Sequence, residues 1–341
     1  MTPPVTLVVS IDTEEDNWVP TRSGTTVENV RELVRLDRCF ERLGVRATYF
    51  TTYQVGRQAT AAAVLREICD RGAAEIGAHL HPWNTPPLDE PFVARNTMLT
   101  NLPQRLQVAK LQSLTQALAG SFGERPRVFR AGRWGFGQGT AAALLECGYA
   151  VDSSVTPFKN WQEYDEGPDY IGAPLEVYRL DGRGDVRLPV PGGPLIELPV
   201  TSGYTRRPMG FWARVHGTLD RPKLRRLRLI GVLSRLNIVK FVFLSPETDS
   251  VADMLTISRQ LVARGVRWLH LTFHSPSLRP GLSPFTPTLG AVERMYAQIE
   301  TYVAGLSGVA RVIFATVSEA AGTLAPAPRP EVGAAAGATG V

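Results

Sequence analysis

The stretch VTLVVSIDTEED, Val5 to Asp16, passes from an apolar, β-branched run directly into a cluster of acids. It lacks the apolar–polar alternation of a half-solvated strand, so it predicts a strand covered on both faces, as in a parallel sheet. If the extended geometry continues, Asp12, Glu14 and Asp16 share one face at its end, because side chains alternate. The segments that follow are helix-like and strand-like in turn. Val27–Leu43 has apolar residues at 27, 30, 33, 34, 40 and 43, which predicts an amphipathic helix with Gly44 as its C-cap. Further strands are expected at 46–52, 75–81, 127–131, 149–152, 240–244, 267–274 and 309–315. Further helices are expected at 59–70, 102–118, 140–147, 250–263 and 288–304, with a less regular stretch over 155–209. About seven βα units in order predict an α/β protein. A closed barrel and an open doubly wound sheet give the same pattern. No GxGxxG follows the first strand, and there is no P-loop or GxSxG elbow.

The chain has 341 residues, of which 44% are hydrophobic and 20% charged, enough to bury a core without disulfides. Its 31 Gly and 26 Pro follow no period, which excludes a collagen-like chain. Cys39, Cys69 and Cys147 lie far apart with no CxxC, so they predict buried thiols in a reducing compartment. The N-terminus has no basic region, and its apolar run is too short for a signal peptide or a membrane span. A cytoplasmic location is the expectation. Residues 325–341 are mostly Ala, Gly and Pro and predict a disordered tail, leaving 1–324 as one domain.

Net charge is +5, unevenly spread. Arg206–Lys240 holds ten basic residues and one acid, Asp220, so the rest of the chain is net acidic. Within it, Leu224, Leu227, Ile230 and Leu236 fall near helical spacing, a basic helical insertion at about 205–240. Its plain reading is a solvated helix face with leucines packed on the body. Its functional readings are an anionic substrate or peripheral contact with a membrane surface carrying glycolipid. No nucleic-acid-binding motif accompanies the charge, so nucleic acid is not an expected partner.

Candidate chemistry gathers where strands end. His79 and His81 share a face of their strand, and two imidazoles at that spacing reach one point. A carboxylate with two imidazoles makes a three-ligand set suited to Zn, Co, Ni or Fe, and not to Mg or Ca. Arg130 and Arg133 lie near another strand end, where they could hold a carboxylate. In WLHLTFH, His274 stands at the strand's C-terminal end, while His270 lies deeper and reads as a hydrogen-bonded core histidine. His216 has no evident partner and reads as structural or exposed.

Taken together, SIDTEED, EIGAHLHPW, FRAGRWG, VDSS and LTFHSPS resemble five ordered motifs of the polysaccharide deacetylases, the chitooligosaccharide and peptidoglycan N-deacetylases. RATYF is similar to the family's second strand. The resemblance implies an incomplete (β/α)7 barrel. It implies Asp12 as catalytic base, with Arg130 to orient it, and Glu14, or less closely Asp16, as the acidic metal ligand. It further implies His79 and His81 as metal ligands, and His274 as general acid supported by Asp152. Two departures stand out. The family's acidic ligand is usually Asp, and its histidines are often three residues apart rather than one. The implied activity is removal of an acetyl group from an N-acetylated sugar by metal-activated water, with zinc the first expectation. Trp83, Trp134 and Arg133 are candidate substrate contacts, and Trp18 and Trp161 also lie near the motifs. The tryptophans read equally well as packing. Two alternatives stand beside this: a hydrolase of a cyclic imide or ureide, favoured by a small enclosed pocket, and a catalytically inactive glycan- or lipid-binding module.

Overall fold

A computed structural model of the chain describes residues 4–327 except 222, 223, 225, 227 and 237. The opening stretch is the long strand β1 (Pro4–Thr13), and it is buried along almost all its length. It pairs in parallel with three others. Strand β10 (Trp268–His274) runs along one edge. On the other edge β2 (Ala47–Thr51) takes the C-terminal half of β1, and β11 (Arg311–Ala315) takes the N-terminal half. The sheet continues through β3 (Ala74–Leu80), β4 (Val128–Ala131), β5 (Val151–Asp152) and β7 (Leu195–Glu197), with β6 (Tyr178–Leu180) antiparallel at the far edge. Seven parallel strands in the order β10-β1-β2-β3-β4-β5-β7 curl into an incomplete (β/α) barrel.

Among the described residues no ladder joins β7 to β10. A separate antiparallel ribbon, β8 (Ser202–Tyr204) with β9 (Phe241–Phe243), lies at that gap. The loop before it and the residue after it supply the missing bonds: Leu244 N–H donates to Thr201 O, and Thr272 N–H donates to Leu244 O.

Helices cover the outside of the sheet. The helices Leu33–Leu43, Val251–Val262 and Leu289–Ser307 bury their apolar faces with β1, β2 and β10. The helices Gln104–Phe122 and Gln138–Glu146 pack with β3 and β4 in a second cluster. The predicted helix over 27–43 opens with a 3-10 turn at Glu28–Glu32 and stops at Gly44, whose φ of 69° is left-handed. Three-residue strands interrupt the stretch expected to be irregular, and a further helix, Val317–Leu324, follows β11. Cys39 and Cys147 are buried thiols, and Cys69 is half-buried. His216 is buried with its ring against Tyr204. The expected tail lies outside the described residues beyond Ala327.

The β5–β7 ladder sets Asp152 directly beside Glu197, and both are fully buried. Burial raises both carboxyls above their usual range, and the Asp152 charge raises Glu197 further, so the pair retains a proton. Raised folded-state values mean that this stability is present at acid pH and declines as pH rises through them. Glu197→Gln keeps a donor toward Asp152 without a titrating proton. The variant should match the parent at about pH 4 and melt higher than it at about pH 8, beyond the ordinary carboxyl range. Parallel melting curves at both values check this; an equal Tm difference at each would count against the shared proton.

Candidate active site

The C-terminal ends of β1, β3, β4 and β10 open on one cleft of about 550 Å3, lined by Asp12, Glu14, His79, His81, Arg133 and His274 among others. Register puts them there: Asp12 lies opposite His274, and His79 lies opposite Arg130. This is the face where (β/α) barrels carry their sites.

Arg130 reaches across the barrel interior and is wholly buried. Its Nη1 donates to Asp12 Oδ1 at 2.7 Å, Ser10 Oγ at 2.9 Å and Thr272 Oγ1 at 2.7 Å. Its Nε and Nη2 donate to Ser153. Burial alone would push the Asp12 carboxyl up, but Arg130, His79 and His274 together hold it below the usual carboxylate range. Asp12 Oδ2 faces the cleft, 4.0 Å from His79 Nε2 and 3.8 Å from His274 Nε2. His270 lies deeper, as its reading predicted. Its Nε2 bonds Ser10 Oγ at 2.8 Å, and burial and Arg130 hold its pKa well below the usual histidine value.

Glu14, His79 and His81 form a second group. Glu14 Oε2 lies 3.6 Å from His79 Nε2 and 3.2 Å from His81 Nε2, and the three ligand atoms lie within 4.8 Å of one another. Ligands about 2.1 Å from a tetrahedral zinc would stand about 3.4 Å apart, close to the two distances from Glu14, so this donor set suits a metal ion. The other ring nitrogens are committed elsewhere. His79 Nδ1 bonds Arg130 O at 3.0 Å, and His81 Nδ1 bonds Glu15 Oε2 at 2.9 Å. Such outer partners aim the Nε2 lone pairs inward. Burial opposes protonation of His81, but Glu15 and Glu14 push its pKa up to about 9. A cation is what this position favours, and a metal competes with the proton for Nε2.

Asp16 is drawn away from this group. It caps the turn at Glu28–Glu32, accepting from the N–H groups of Glu28 and Asn29 and from Thr26 Oγ1. Of the two candidate acidic ligands, Glu14 is therefore the one that faces the Nε2 atoms of both histidines.

One expected partnership does not occur. The Asp152 carboxylate accepts from Ser154 N and Ser154 Oγ and lies beside Glu197, away from the cleft. The residue that holds His274 is Glu247. Its Oε2 bonds His274 Nδ1 at 2.9 Å, and its Oε1 accepts from His274 N at 3.1 Å. Burial opposes protonation of His274, but Glu247, Glu14 and Asp12 push its pKa up to about 10. Glu15 and Glu247 were thus missed in sequence, as was Ser275, whose Oγ accepts from Glu14 N. Glu15 stood inside the acidic run; nothing local marks Glu247.

Of the proposed substrate contacts, Trp83 lies flat on His81 with ring centroids 4.2 Å apart, and its outer edge reaches the cleft. Trp134 and Arg133 also line the cleft, both with left-handed backbone, φ 61° and 55°. Arg133 already meets a carboxylate of the chain, Asp165, at 2.7 Å. Trp18 packs edge-on against His274, while Trp161 is not among the cleft-lining residues.

No family model and no curated protein matches the sequence. Solved structures do. A Mycobacterium smegmatis protein provisionally named a polysaccharide deacetylase superposes with a TM-score of 0.54 at 18% identity, over 95% of this chain and 91% of that one. This likeness shows a shared fold. The chitin deacetylase of Colletotrichum lindemuthianum gives a TM-score of 0.42 at 11% identity, over 93% of this chain and 88% of that one. A CE4 family pseudoenzyme from Bacillus anthracis gives 0.42 at 10%, over 94% and 66%.

Gly132, just past β4, lets the chain pass tightly over His81. A Cβ there would stand 2.5 Å from His81 Cδ2 and 2.7 Å from Leu80 O. Gly132→Ala should therefore displace the imidazole and weaken metal binding about 10- to 100-fold. Competition against a chromophoric chelator measures this; unchanged affinity would show that the close approach does not fix the ring.

Proposed function

We propose that this chain is a metal-dependent hydrolase that removes the acetyl group from an N-acetylated amino sugar. One observation carries the reading: a buried base, a carboxylate-held histidine and a three-ligand metal group converge on one cleft. Binding alone needs no such acid–base pair, which weighs against an inactive module.

Glu14, His79 and His81 would hold the ion, with zinc favoured over Co, Ni or Fe. Bound there, a divalent metal supplies Lewis acidity toward the acyl oxygen and toward water. Asp12 accepts the proton of the attacking water at Oδ2, because Arg130 occupies Oδ1 and keeps the carboxylate ionised. His274 stands across from it as an imidazolium, its Nδ1–H held by Glu247 and its Nε2–H turned to the cleft. As the C–N bond breaks, that proton passes to the leaving nitrogen. Water oxygen joins the acyl carbon and keeps its second proton there until the freed amine or solvent takes it, so the products are acetate and a free amino sugar in its protonated form.

Several cleft-lining side chains, Trp18, Phe92 and Val93 among them, are more than a third exposed, so the site is open rather than sealed. That supports a sugar over a small cyclic imide or ureide. Within acetylated sugars, a soluble intermediate, a nucleotide sugar and a lipid-linked sugar are the candidate substrates.

Asp12→Asn should lower acetate release from N-acetylated sugar oligomers by about 10²- to 10⁴-fold while keeping bound metal. His79→Ala with His81→Ala should lose the metal itself. Acetate release and metal content of each variant check both, and near-parental turnover by Asp12→Asn would overturn the base assignment. For the acid, Glu247→Gln should reduce kcat by about 10²-fold or more, whereas Asp152→Asn should stay within a few-fold of the parent. The reverse ranking would return Asp152 to the role the sequence suggested.

A further inference from the structure

The β8–β9 ribbon carries the basic segment out from the wall of the cleft. At one end of the ribbon Phe243 stacks along Trp134, which lines the cleft; at the other, Tyr204 pairs with Phe241, and the chain between them forms the segment. Its first helix, Met209–Leu219, turns Met209, Ala213 and His216 inward. Its second, Leu229–Arg235, has no buried residue, and only Leu233 packs against the core. The leucines expected to lie on the body do not all do so, and Leu227 lies outside the described residues. Leu229, Val232 and Leu236 are spaced i, i+3 and i+7, so they share one face. They are 38%, 48% and 64% exposed. Ile238, beyond them, is 40% exposed. Single exposed leucines are ordinary; a contiguous aliphatic stripe marks an interaction surface.

Arginines frame the stripe. Arg228 and Arg235 flank the helix, and Arg206 Nε donates to Ile238 O at 3.0 Å. Elsewhere on the surface Arg35, Arg42 and Arg46 each meet a glutamate. Among the described residues Arg206, Arg228 and Arg235 meet no carboxylate. The face therefore offers cations without counter-ions beside aliphatic groups without cover.

We propose that this face docks on an anionic lipid bilayer. The aliphatic stripe enters the acyl boundary, and the arginines sit at the level of the lipid phosphates. A second copy of the chain would bring the same uncompensated arginines against each other. A soluble anion or a nucleic acid would satisfy the arginines and leave the aliphatic stripe in water. A bilayer meets both needs at once. The docking stands apart from the hydrolase reading and is measured without turnover.

The test is co-sedimentation of the full chain with vesicles of phosphatidylcholine alone or with about 30 mol% phosphatidylglycerol, at about 0.1 M salt. Binding to the anionic vesicles should be at least about tenfold tighter and should fall steeply at about 0.5 M salt. Two variants separate the contributions: Arg228→Gln with Arg235→Gln, and Leu229→Ser with Val232→Ser and Leu236→Ser. Each should weaken binding about tenfold or more with an unchanged melting curve. Equal affinity for both vesicles, binding to neither, or anionic binding unaltered in both variants would overturn the proposal. So would capture by DNA without vesicle binding, or self-association lost in the leucine variant.

Discussion

A guanidinium shut away from water must find its acceptors within the protein, and Arg130 finds them on two other strands and just after a third. It rises from β4 and bonds Ser10 and Asp12 on β1, Ser153 just after β5, and Thr272 on β10. A buried charge stripped of its partner costs several kcal/mol, so these strand ends hold one another in place. The geometry of the cleft follows from that requirement. With Oδ1 of Asp12 committed to Arg130, only Oδ2 is turned to the cleft, and its distances to His79 and His274 are set by the same strand registers. His270 belongs to this arrangement as well. Buried beside a permanent cation, it stays neutral and serves as an acceptor.

What the sequence made legible was periodic. The apolar, β-branched run of β1 announced a parallel strand, and the helix at Ala59–Asp70 has the bounds its pattern predicted. Three-residue strands such as β6 and β7 are too short to show a period. The helix Val317–Leu324 carries a readable start, the Thr316–Glu319 capping box, but its Ala-rich body blends into the composition that follows.

The acids divide along the same line. Alternation placed Asp12, Glu14 and Asp16 on one face only while the chain stayed extended. The strand ends at Thr13, and Asp16 turns away to satisfy the N–H groups that open the next turn. A helix end thus claims one acid and leaves Glu14 for the histidines. Glu247 was illegible for a different reason. It comes from the loop after β9, a short strand outside the main sheet, and meets His274 only because the ribbon lies at the gap in the barrel. Neither spacing nor neighbouring residues reveal such a contact. The resemblance pointed instead to Asp152, which the β5–β7 ladder had already paired with Glu197.

Charge balance gives the chemistry its direction. Asp12, Glu14, Glu15 and Glu247 surround the cleft histidines, and among the described residues Arg130 is the only arginine bonded to any of them. On the proposed reading, a divalent cation and the protonated His274 bring this cluster to neutrality. A neutral acetamide then enters without Coulombic penalty. In the proposed turnover His274 would give its proton to the departing amine while Asp12 gains one from water, so the cluster itself would stay balanced. On that reading the negative charge would fall on the acyl group, first as the developing oxyanion and then as acetate once the remaining water proton passes to the freed amine or solvent. A divalent ion held by Glu14, His79 and His81 would supply the positive charge that stabilises such an oxyanion. Return of the Asp12 proton to His274 or solvent restores the carboxylate lining, which repels acetate and favours its release. A phosphate on the substrate would meet the same repulsion at the reacting centre. On the proposed reading, any anionic group of a nucleotide or lipid carrier would therefore have to lie outward from these carboxylates.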